Sequence, residues 1–441
     1  SLPPVITSVH FSPSGQLLAV AGFHEVLLHK SDGSGLVARL VGMSERIESV
    51  RFSPDGRRLA VTGGLPARMG EVQVWDVAVP EAGLEAMKPS LILSVPITFD
   101  TIYGGSWSPD GRLIAFGCGD NSLRAIDVET GQQVLLQGAH TDWVRDTVFS
   151  ADGRQLVSVS RDMTVKLTEV ATERFIDNIT SITPGALKGG VNAVARHPQR
   201  DEIAIVGADG VPKVYRLERL TERRIGDDAN LIRSMPAMKG RLFSVAISPN
   251  GQRIAAGGSL NGTGTVSVFA YDFDTSLPED VKKIMAKAVG QRSAEEKKRV
   301  ADYQVEGVRR VSHMSVPEAG VFAVAFQPDS KILAAAGGDG VVRLVDVESG
   351  SVVRQFGVVP VRTGSSEAIA AATMSDIPPS IPGLASSKDV TTESLPAGPP
   401  VTKLTVVPRE LRFDNRFEYA QLLVTAELSS GDQVDATRLA K

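Results

Sequence analysis

A short turn phrase recurs along this chain of 441 residues, and its repetition limits the folds that the chain can adopt. The clear copies are FSPSG at 11–15, FSPDG at 52–56, WSPDG at 107–111, FSADG at 149–153 and ISPNG at 247–251. Two diverged copies are RHPQR at 196–200 and FQPDS at 326–330. Repetition of this kind is typical of stacked supersecondary units, because a single unit cannot bury its hydrophobic face alone.

The second residue of each phrase is an anchor for comparing the seven copies: Ser12, Ser53, Ser108, Ser150, His197, Ser248 and Gln327. Successive anchors are 41, 55, 42, 47, 51 and 79 residues apart. The shortest spacings match the roughly 40–45 residues of a four-stranded propeller blade.

Apolar residues occupy fixed positions on both sides of each anchor. The residue six places after the anchor is Leu18, Leu59, Ile114, Leu156, Ile203, Ile254 or Leu333. The residue six places before it is Ile6, Ile47, Ile102, Val144, Val191, Leu242 or Val321. This pattern predicts two strands joined by a hairpin, whose Pro, Asp or Asn, and Gly suit a tight turn.

A third apolar segment follows each hairpin, and a fourth follows several of them, as at 35–42, 131–138 and 351–358. Four strands in each of seven copies predict an all-β fold, a seven-bladed β-propeller over residues 1–360. The last copy supplies its own fourth strand at 351–358, so we expect closure without strand exchange between the termini.

The longest spacing contains a predicted helical insertion at 274–315. Ser276 is a predicted N-cap, and Val281, Ile284, Met285 and Ala288 lie on one helical face that ends before Gly290. Ser293 and Glu296 form a predicted capping box for a second helix over 294–304.

The C-terminal residues change in composition. Residues 361–400 contain six prolines, seven serines and no aromatic residue, which is typical of a linker. Residues 401–441 regain strand patterning, with Ala420, Leu422, Val424, Ala426 and Leu428 in strict alternation. This stretch is shorter than half of an immunoglobulin-like sandwich, so the predicted segment is partial.

Composition excludes several classes of function. The 47 basic and 51 acidic residues give a net charge of −4, which disfavours a nucleic-acid binder. No apolar run approaches the roughly 18 residues of a membrane span. The single cysteine, Cys118, cannot form an internal disulfide, a four-cysteine zinc site or a haem attachment with two thioether links. We therefore predict no cofactor and no metal site.

Three residues before the fourth hairpin are candidates for a binding site at the mouth of the propeller channel: His140, Asp142 and Arg145. The alternative is structural, with His140 bonded to Asp162 and to Ser158 or Ser160 to hold the blade together. Acidic residues also recur at the turn after the second strand of four blades, at Asp120, Asp162, Asp209 and Asp339. A catalytic residue would be unique, so this recurrence indicates a structural role.

Two basic segments are candidate partner surfaces. In the helical insertion, Lys282, Lys283, Lys297, Lys298 and Arg299 would face an acidic neighbour. The alternative is a solvated helix surface with no partner. The second segment contains Arg216, Arg219, Arg223, Arg224 and Arg233, which would bind an anion or an acidic partner, or form a solvated loop mixed with acidic residues.

The phrases resemble the WD-repeat family, with VWD at 74–76 as one instance of its signature. A narrower resemblance rests on RIESVRFSPDGRRLAV, GEVQVWDV, DTIYGGSWSPDG, AHTDWVRDTVFS and RFIDNITSITPGALKGG. These segments are similar to the WD-repeat region of large exported proteins from planctomycete-type bacteria. Such proteins carry c-type cytochrome domains and bacterial immunoglobulin-like domains. Residues 401–441 resemble the start of a group 2 domain of that last type.

The resemblance implies a non-catalytic scaffold within a larger exported bacterial protein, in the periplasm or outside the cell. Its partners would be proteins or flanking domains of the same polypeptide, including a c-type cytochrome domain. The alternative is a propeller enzyme of the lactonase or hydrolase type with a site at the channel mouth, since fold does not decide function. No phosphate loop or nucleophile motif occurs in the sequence, so we expect no enzymatic activity.

Overall fold

The computed structural model describes residues 3–138, 140–181, 187–222, 226–359, 401–407, 423–429 and 433–435. By internal contacts the chain divides into two compact units, Ser1–Val361 and Arg362–Lys441. The fold is predominantly β, with several four-stranded antiparallel sheets, so the expected all-β class is confirmed.

The first sheet has seven strands in sequential order, β1 to β7. They are β1 (Val9–Phe11), β2 (Leu17–Ala21), β3 (Phe23–Lys30), β4 (Leu36–Phe52), β5 (Arg58–Leu65), β6 (Met69–Asp76) and β7 (Ser90–Thr98). A 3₁₀ helix, Leu84–Ala86, precedes β7. β4 is long because its first half pairs with β3 and its second half pairs with β5. One continuous strand therefore belongs to two repeats.

Five four-stranded sheets follow, each from consecutive strands. The first two contain β8 (Ile102–Trp107), β9 (Leu113–Cys118), β10 (Leu123–Asp127), β11 (Gln133–Gln137), then β12 (Val144–Phe149), β13 (Gln155–Ser160), β14 (Val165–Glu169), β15 (Phe175–Asn178). The third and fourth contain β16 (Val191–Arg196), β17 (Glu202–Gly207), β18 (Lys213–Arg216), β19 (Leu231–Ser234), then β20 (Arg241–Ile247), β21 (Arg253–Leu260), β22 (Thr263–Ala270), β23 (Arg310–Val316). The fifth contains β24 (Val321–Phe326), β25 (Ile332–Gly337), β26 (Val341–Asp346) and β27 (Val352–Gly357).

The first strand of each repeat is an inner strand that touches its counterparts in the neighbouring repeats. These contacts run from β1 through β4, β8, β12, β16 and β20 to β24, and β1 also contacts β24. Buried Val, Ile, Leu and Ala side chains fill the spaces between adjacent sheets. The hydrophobic core is therefore a series of layers between sheets, as the two-sided burial of propeller strands requires.

The recurring turn phrase has the chemistry that its sequence predicts. The Ser53 hydroxyl accepts a hydrogen bond from the Arg58 N–H at 2.9 Å and donates one to Asp55 at 2.6 Å, and Gly56 has φ of 72°. That positive φ suits glycine, which has no Cβ to clash. The hydroxyl contact to the N–H five residues later recurs at Ser12, Ser108, Ser150 and Ser248.

The insertion after β22 contains two short helices, α1 (Glu279–Met285) and α2 (Ala294–Tyr303), with a 3₁₀ turn, Val289–Gln291, between them. The predicted capping box of Ser293 and Glu296 is confirmed. The predicted N-cap Ser276 is wrong: its hydroxyl donates to Asp274 at 2.8 Å, and Pro278 occupies the cap.

Two other predicted features of the insertion differ from the structure. The first helix ends at Met285, so Ala288 and Gly290 lie beyond it. The predicted range 274–315 also contains most of β23, which completes the preceding sheet.

In the second unit the structure describes three antiparallel strands, β28 (Val401–Val407), β29 (Leu423–Leu428) and β30 (Gln433–Asp435). The partial immunoglobulin-like segment stays a prediction. The predicted linker 361–400 lies outside the described residues.

Candidate functional site

One residue of each repeat, five places before the anchor, lies within two residues of the start of an inner strand or, in β4, of the point where its pairing with β5 begins. We call this set the mouth ring: Thr7, Glu48, Tyr103, Arg145, Asn192, Phe243 and Phe322. Of the predicted channel-mouth candidates, only Arg145 belongs to it. The sequence analysis missed the other members because they share no residue type. Their common position, five places before each anchor, would have identified them.

Two neighbouring members of the mouth ring, Tyr103 and Arg145, belong to a stack of aromatic rings and guanidinium groups. The Arg145 guanidinium lies 4.4 Å from the centre of the Tyr103 ring, and Tyr103 stacks on Trp143 with 5.7 Å between ring centres. Arg161 covers the Trp143 ring at 4.5 Å and bonds the predicted candidate Asp142 at 3.0 Å. Trp143 is still 37% exposed, so this aromatic–arginine cluster is open to solvent.

Two other members of the mouth ring form an apolar pair. Phe243 and Phe322 meet edge to face, with 5.2 Å between ring centres. Phe322 lies over Gly320, where a Cβ would come within 2.8 Å of its ring. Both phenylalanines are half-buried, which leaves part of each ring available for contact.

His140 is buried and holds the fourth repeat together. Its Nδ1 lies 2.9 Å from Asp162 Oδ2, and its Nε2 lies 2.8 Å from Ser158 Oγ. Although burial acts to raise the pKa of Asp162, hydrogen bonds from His140 and Thr164 hold that pKa well below its usual range. His140 therefore makes the hydrogen bonds that the structural alternative predicts. Its serine partner is Ser158 rather than Ser160.

The four recurring aspartates share one turn geometry. Each carboxylate accepts from the backbone N–H two residues later, in Ser122, Thr164, Val211 and Val341, at 2.9–3.2 Å. Asp120, Asp209 and Asp339 also pair with the basic residue four places on, which is Arg124, Lys213 and Arg343. This repeated local bonding supports the turn role proposed for them from sequence.

Polar side chains tie neighbouring inner strands together just below the mouth ring. The hydroxyls of Ser8, Ser49 and Ser244 accept from the backbone N–H groups of Val50, Gly105 and Val324, each in the next repeat, at 3.1–3.3 Å. These residues stand four places before the anchor. They fix the inner strands laterally and so preorganise the mouth ring.

Asp146 performs this role between β12 and β16, and it also accepts a hydrogen bond within its own strand. Its Oδ1 accepts from the Thr147 N–H at 3.0 Å and its Oδ2 from the Val194 N–H at 3.1 Å. Burial raises the pKa of Asp146, and the charge of Arg51 opposes that rise. Gly104 leaves the space for this carboxylate, because a Cβ there would lie 2.1 Å from Asp146 Oδ1.

Two arginines of the basic run before β20 are buried against the insertion. Arg216 donates to the Tyr303 hydroxyl at 2.8 Å. Arg233 donates to the carbonyls of Asp274 and Glu306 at 2.9 and 2.8 Å and lies over the Tyr303 ring. Neither the anion-binding nor the solvated-loop interpretation holds for these two, since both arginines attach the insertion to β18 and β19.

The remaining residues of that run have other placements. Arg219 pairs with Asp177 and Asp227 at 3.3 and 3.4 Å. Arg223 and Arg224 lie outside the described residues.

The predicted partner surface on the insertion is largely compensated within the insertion. Lys282 pairs with Glu279 at 3.8 Å, Lys298 with Asp302 at 2.6 Å and Arg299 with Asp280 at 2.8 Å. For Lys283 and Lys297 no ion pair occurs within the described part of the chain. The apolar faces of the two helices bury Val281, Met285, Val300 and Tyr303 against each other.

Over the residues that the structure covers, no three His, Cys, Asp or Glu side chains converge on a possible metal position. In the same part of the chain, no helix has the length and apolarity needed to cross a membrane. Cys118 is fully buried in β9, and burial raises the pKa of its thiol to about 12.

Comparisons with known proteins place this geometry in context. A family model described as "Anaphase-promoting complex subunit 4 WD40 domain" matches residues 296–368. A second, "WD domain, G-beta repeat", matches residues 131–168, which include the His140 network.

Curated relatives include eukaryotic translation initiation factor 3 subunit I of Nematostella vectensis. That protein is 24% identical over 42% of this chain and 56% of its own length. The same subunit of Aspergillus oryzae is 26% identical over 46% of this chain and 60% of its own length. The same subunit of Drosophila willistoni is 26% identical over 46% of this chain and 61% of its own length. The chain thus spans about six tenths of the relatives that it matches.

These findings correct one expectation from sequence. The predicted periplasmic or extracellular location is wrong, because the curated relatives are subunits of a eukaryotic translation initiation factor rather than exported bacterial proteins. The comparisons also provide no support for a cytochrome or immunoglobulin-like context. They support WD40 repeats arranged as a β-propeller, a class that generally provides non-catalytic scaffolds for protein interaction.

Proposed function

We propose that this chain is a seven-bladed interaction scaffold that binds a protein partner through the mouth ring and the adjoining Trp143. The observation that carries the proposal is the solvent-open aromatic–arginine cluster of Tyr103, Trp143, Arg145 and Arg161. Tyr, Trp and Arg are enriched at the energetic centres of protein interfaces, where they supply large contact areas at low entropic cost.

Contacts that repeat between neighbouring repeats, and recur between the first and last repeats, support the proposal of a seven-bladed ring. A Cβ on Gly56 would lie 3.2 Å from Pro13 of the preceding repeat, and a Cβ on Gly15 would lie 3.7 Å from Pro328 of the last one. The Ile6 N–H also donates to the Gly337 carbonyl at 3.0 Å. The first and last repeats are therefore neighbours in the same manner as consecutive repeats, and we propose that they close the ring.

The relatives favour a role within a multi-subunit assembly, because each is named as a subunit of an initiation factor. We propose the same kind of role for this chain, as a subunit or module that positions partners. A c-type cytochrome domain as partner rests on the sequence resemblance alone.

The enzyme alternative has one geometric point in its favour. Ser158, His140 and Asp162, the group that the sequence analysis interpreted as structural, are connected in the order of a catalytic triad. However, Ser158 is only 1% exposed and His140 only 5% exposed, so a substrate cannot reach the serine in this conformation. The geometry supports a structural network and favours the scaffold.

Affinity capture from extracts of the source organism tests the proposal. The chain is compared with the double variant Trp143→Ala, Arg161→Ala and with the control Arg154→Glu, whose side chain is 85% exposed in the hairpin turn that follows the inner strand β12. We expect a stoichiometric partner that the control retains and the double variant loses. Equal recovery with all three chains would contradict an interaction site at the mouth ring.

A further inference from the structure

Two Asn–Gly pairs occur in this chain, Asn250–Gly251 and Asn261–Gly262. Such a pair can deamidate without an enzyme, because glycine has no side chain to keep its backbone nitrogen away from the asparagine side chain. That nitrogen attacks the side-chain carbonyl carbon, so the reaction needs a free N–H and a side-chain amide that is free to turn. The two pairs differ in both respects.

Hydrogen bonds hold the first pair in place. The Gly251 N–H donates to the Ser248 carbonyl at 2.7 Å, so the attacking nitrogen is occupied. Asn250 Oδ1 accepts from the Ser248 hydroxyl at 2.7 Å and from the Gln252 N–H at 3.0 Å. Gly251 is also buried, and a Cβ there would lie 2.6 Å from His197 Nε2. Both reacting groups of this pair are therefore restrained.

The second pair forms the exposed tip of the β21–β22 hairpin. Leu260 pairs with Thr263, so Asn261 and Gly262 are the two residues of the turn. Their φ values are 51° and 82°, as in the tight hairpin turns that favour Asn–Gly. Both residues are exposed, and beyond the chain neighbours no atom lies within 4 Å of a Cβ built on Gly262. The tip therefore has room to change conformation.

The reacting groups of the second pair are also unrestrained. For the Gly262 N–H and the Asn261 side chain, no hydrogen bond occurs within the described part of the chain. Turning the Asn261 side chain toward the backbone nitrogen therefore breaks no such bond. The same movement at Asn250 breaks its bonds to Ser248 and Gln252.

We propose that Asn261 is a site of spontaneous deamidation in the folded protein. The Gly262 nitrogen forms a bond to Asn261 Cγ, the Cγ–Nδ2 bond breaks, and Nδ2 leaves as ammonia with the proton of the Gly262 N–H. Water then opens the resulting imide ring. Opening at Cγ gives aspartate, and opening at the main-chain carbonyl gives isoaspartate. The net change is water consumed and ammonia released, without oxidation or reduction.

The two products change the hairpin in different ways. Aspartate tolerates the positive φ of residue 261 and adds only a charge. Isoaspartate carries the main chain through its side-chain methylene, so the turn between Leu260 and Thr263 becomes longer by one atom. Either product adds a negative charge near the end of β21, where Ser259 pairs with Arg241.

Peptide mapping by mass spectrometry of the folded full chain tests this inference. The chain is incubated at mildly alkaline pH in water enriched in heavy oxygen, which distinguishes conversion during incubation from conversion during digestion. We expect Asn261 to convert faster than Asn250 by about tenfold or more, because hydrogen bonds hold only Asn250. An isoaspartate methyltransferase should then label the peptide that contains residue 261.

Incubation in guanidinium chloride separates the effect of the fold from that of the sequence. Once the hydrogen bonds around Asn250 are lost, both pairs should convert at similar rates. Asn261→Gln should remove the conversion at residue 261 in the folded chain and leave that of Asn250 unchanged. Circular dichroism before and after incubation shows that the folded sample stays folded.

Three outcomes would overturn the inference. The first is a folded chain in which Asn250 converts as fast as Asn261. The second is no conversion of folded Asn261 over a time in which the unfolded chain converts completely. The third is a preference for Asn261 that is equally large in guanidinium chloride, since the flanking sequence rather than the fold would then cause it.

Discussion

Replacing Asp146 should cost more stability than replacing any of the serines that tie the inner strands together. Each serine hydroxyl accepts one N–H from the next repeat, whereas Asp146 accepts two, one from Val194 in the next repeat and one from Thr147 in its own strand. Asp146→Ala leaves both N–H groups without an acceptor. Ser244→Ala leaves one and provides the matched reference.

The expected magnitudes follow from these bond counts. A hydrogen bond to a charged group contributes about 1.5–3 kcal/mol, so two give about 3–6 kcal/mol. Burial of the carboxylate, visible in its raised pKa, offsets part of this contribution. We expect Asp146→Ala to lower the free energy of unfolding by about 2–4 kcal/mol, and Ser244→Ala by about 1 kcal/mol.

A double-mutant cycle with Gly104 tests the mechanism. A Cβ at residue 104 would lie 2.1 Å from Asp146 Oδ1, so Gly104→Ala should displace the carboxylate. The cost of Gly104→Ala should therefore shrink when Asp146 is already alanine. Urea unfolding measures each cost as a change in midpoint at constant m-value. Strictly additive costs, or an Asp146→Ala cost no larger than that of Ser244→Ala, would refute the reasoning.

Three further predictions concern other residues. Burial raises the pKa of Asp228 to about 6 from an ordinary value of 3.8. The folded state therefore holds the proton more tightly, and stability should fall by up to about 3 kcal/mol as pH rises from 4 to 6. Asp228→Asn should abolish that slope in urea unfolding across this pH range. A fluorophosphonate probe should not label native Ser158, and labelling that Ser158→Ala removes, as read by mass spectrometry, would instead support the hydrolase alternative. Arg233→Ala should increase hydrogen exchange in α2 more than in β12, and equal changes in both would contradict the attachment described for the insertion.

Local chemistry was predictable wherever one segment contains all the interacting atoms. The hairpin turn around Ser53 and the capping box of Ser293 and Glu296 involve residues at most five apart, and both formed as expected. Ser276 failed as a cap because the helix begins later, at Glu279, so Ser276 lies two residues before the cap position at Pro278.

Contacts between distant segments were not predictable in the same way. The sequence predicted either an anion-binding or partner-binding run or a solvated loop for Arg216 and Arg233, but the insertion more than forty residues later buries them. Likewise, the space that Gly104 leaves for Asp146 depends on the packing of two inner strands. The mouth ring could in principle have been predicted from the sequence, because its members all lie five places before an anchor even though their residue types differ.

Hydrogen exchange of the chain, alone and with its captured partner, tests the central claim most directly. We predict that partner binding protects amides at 100–106, 141–146, 240–244 and 320–324, where the inner strands begin around the mouth ring. Protection confined to the outer strands or to the insertion at 276–310, with the mouth ring unchanged, would contradict the account.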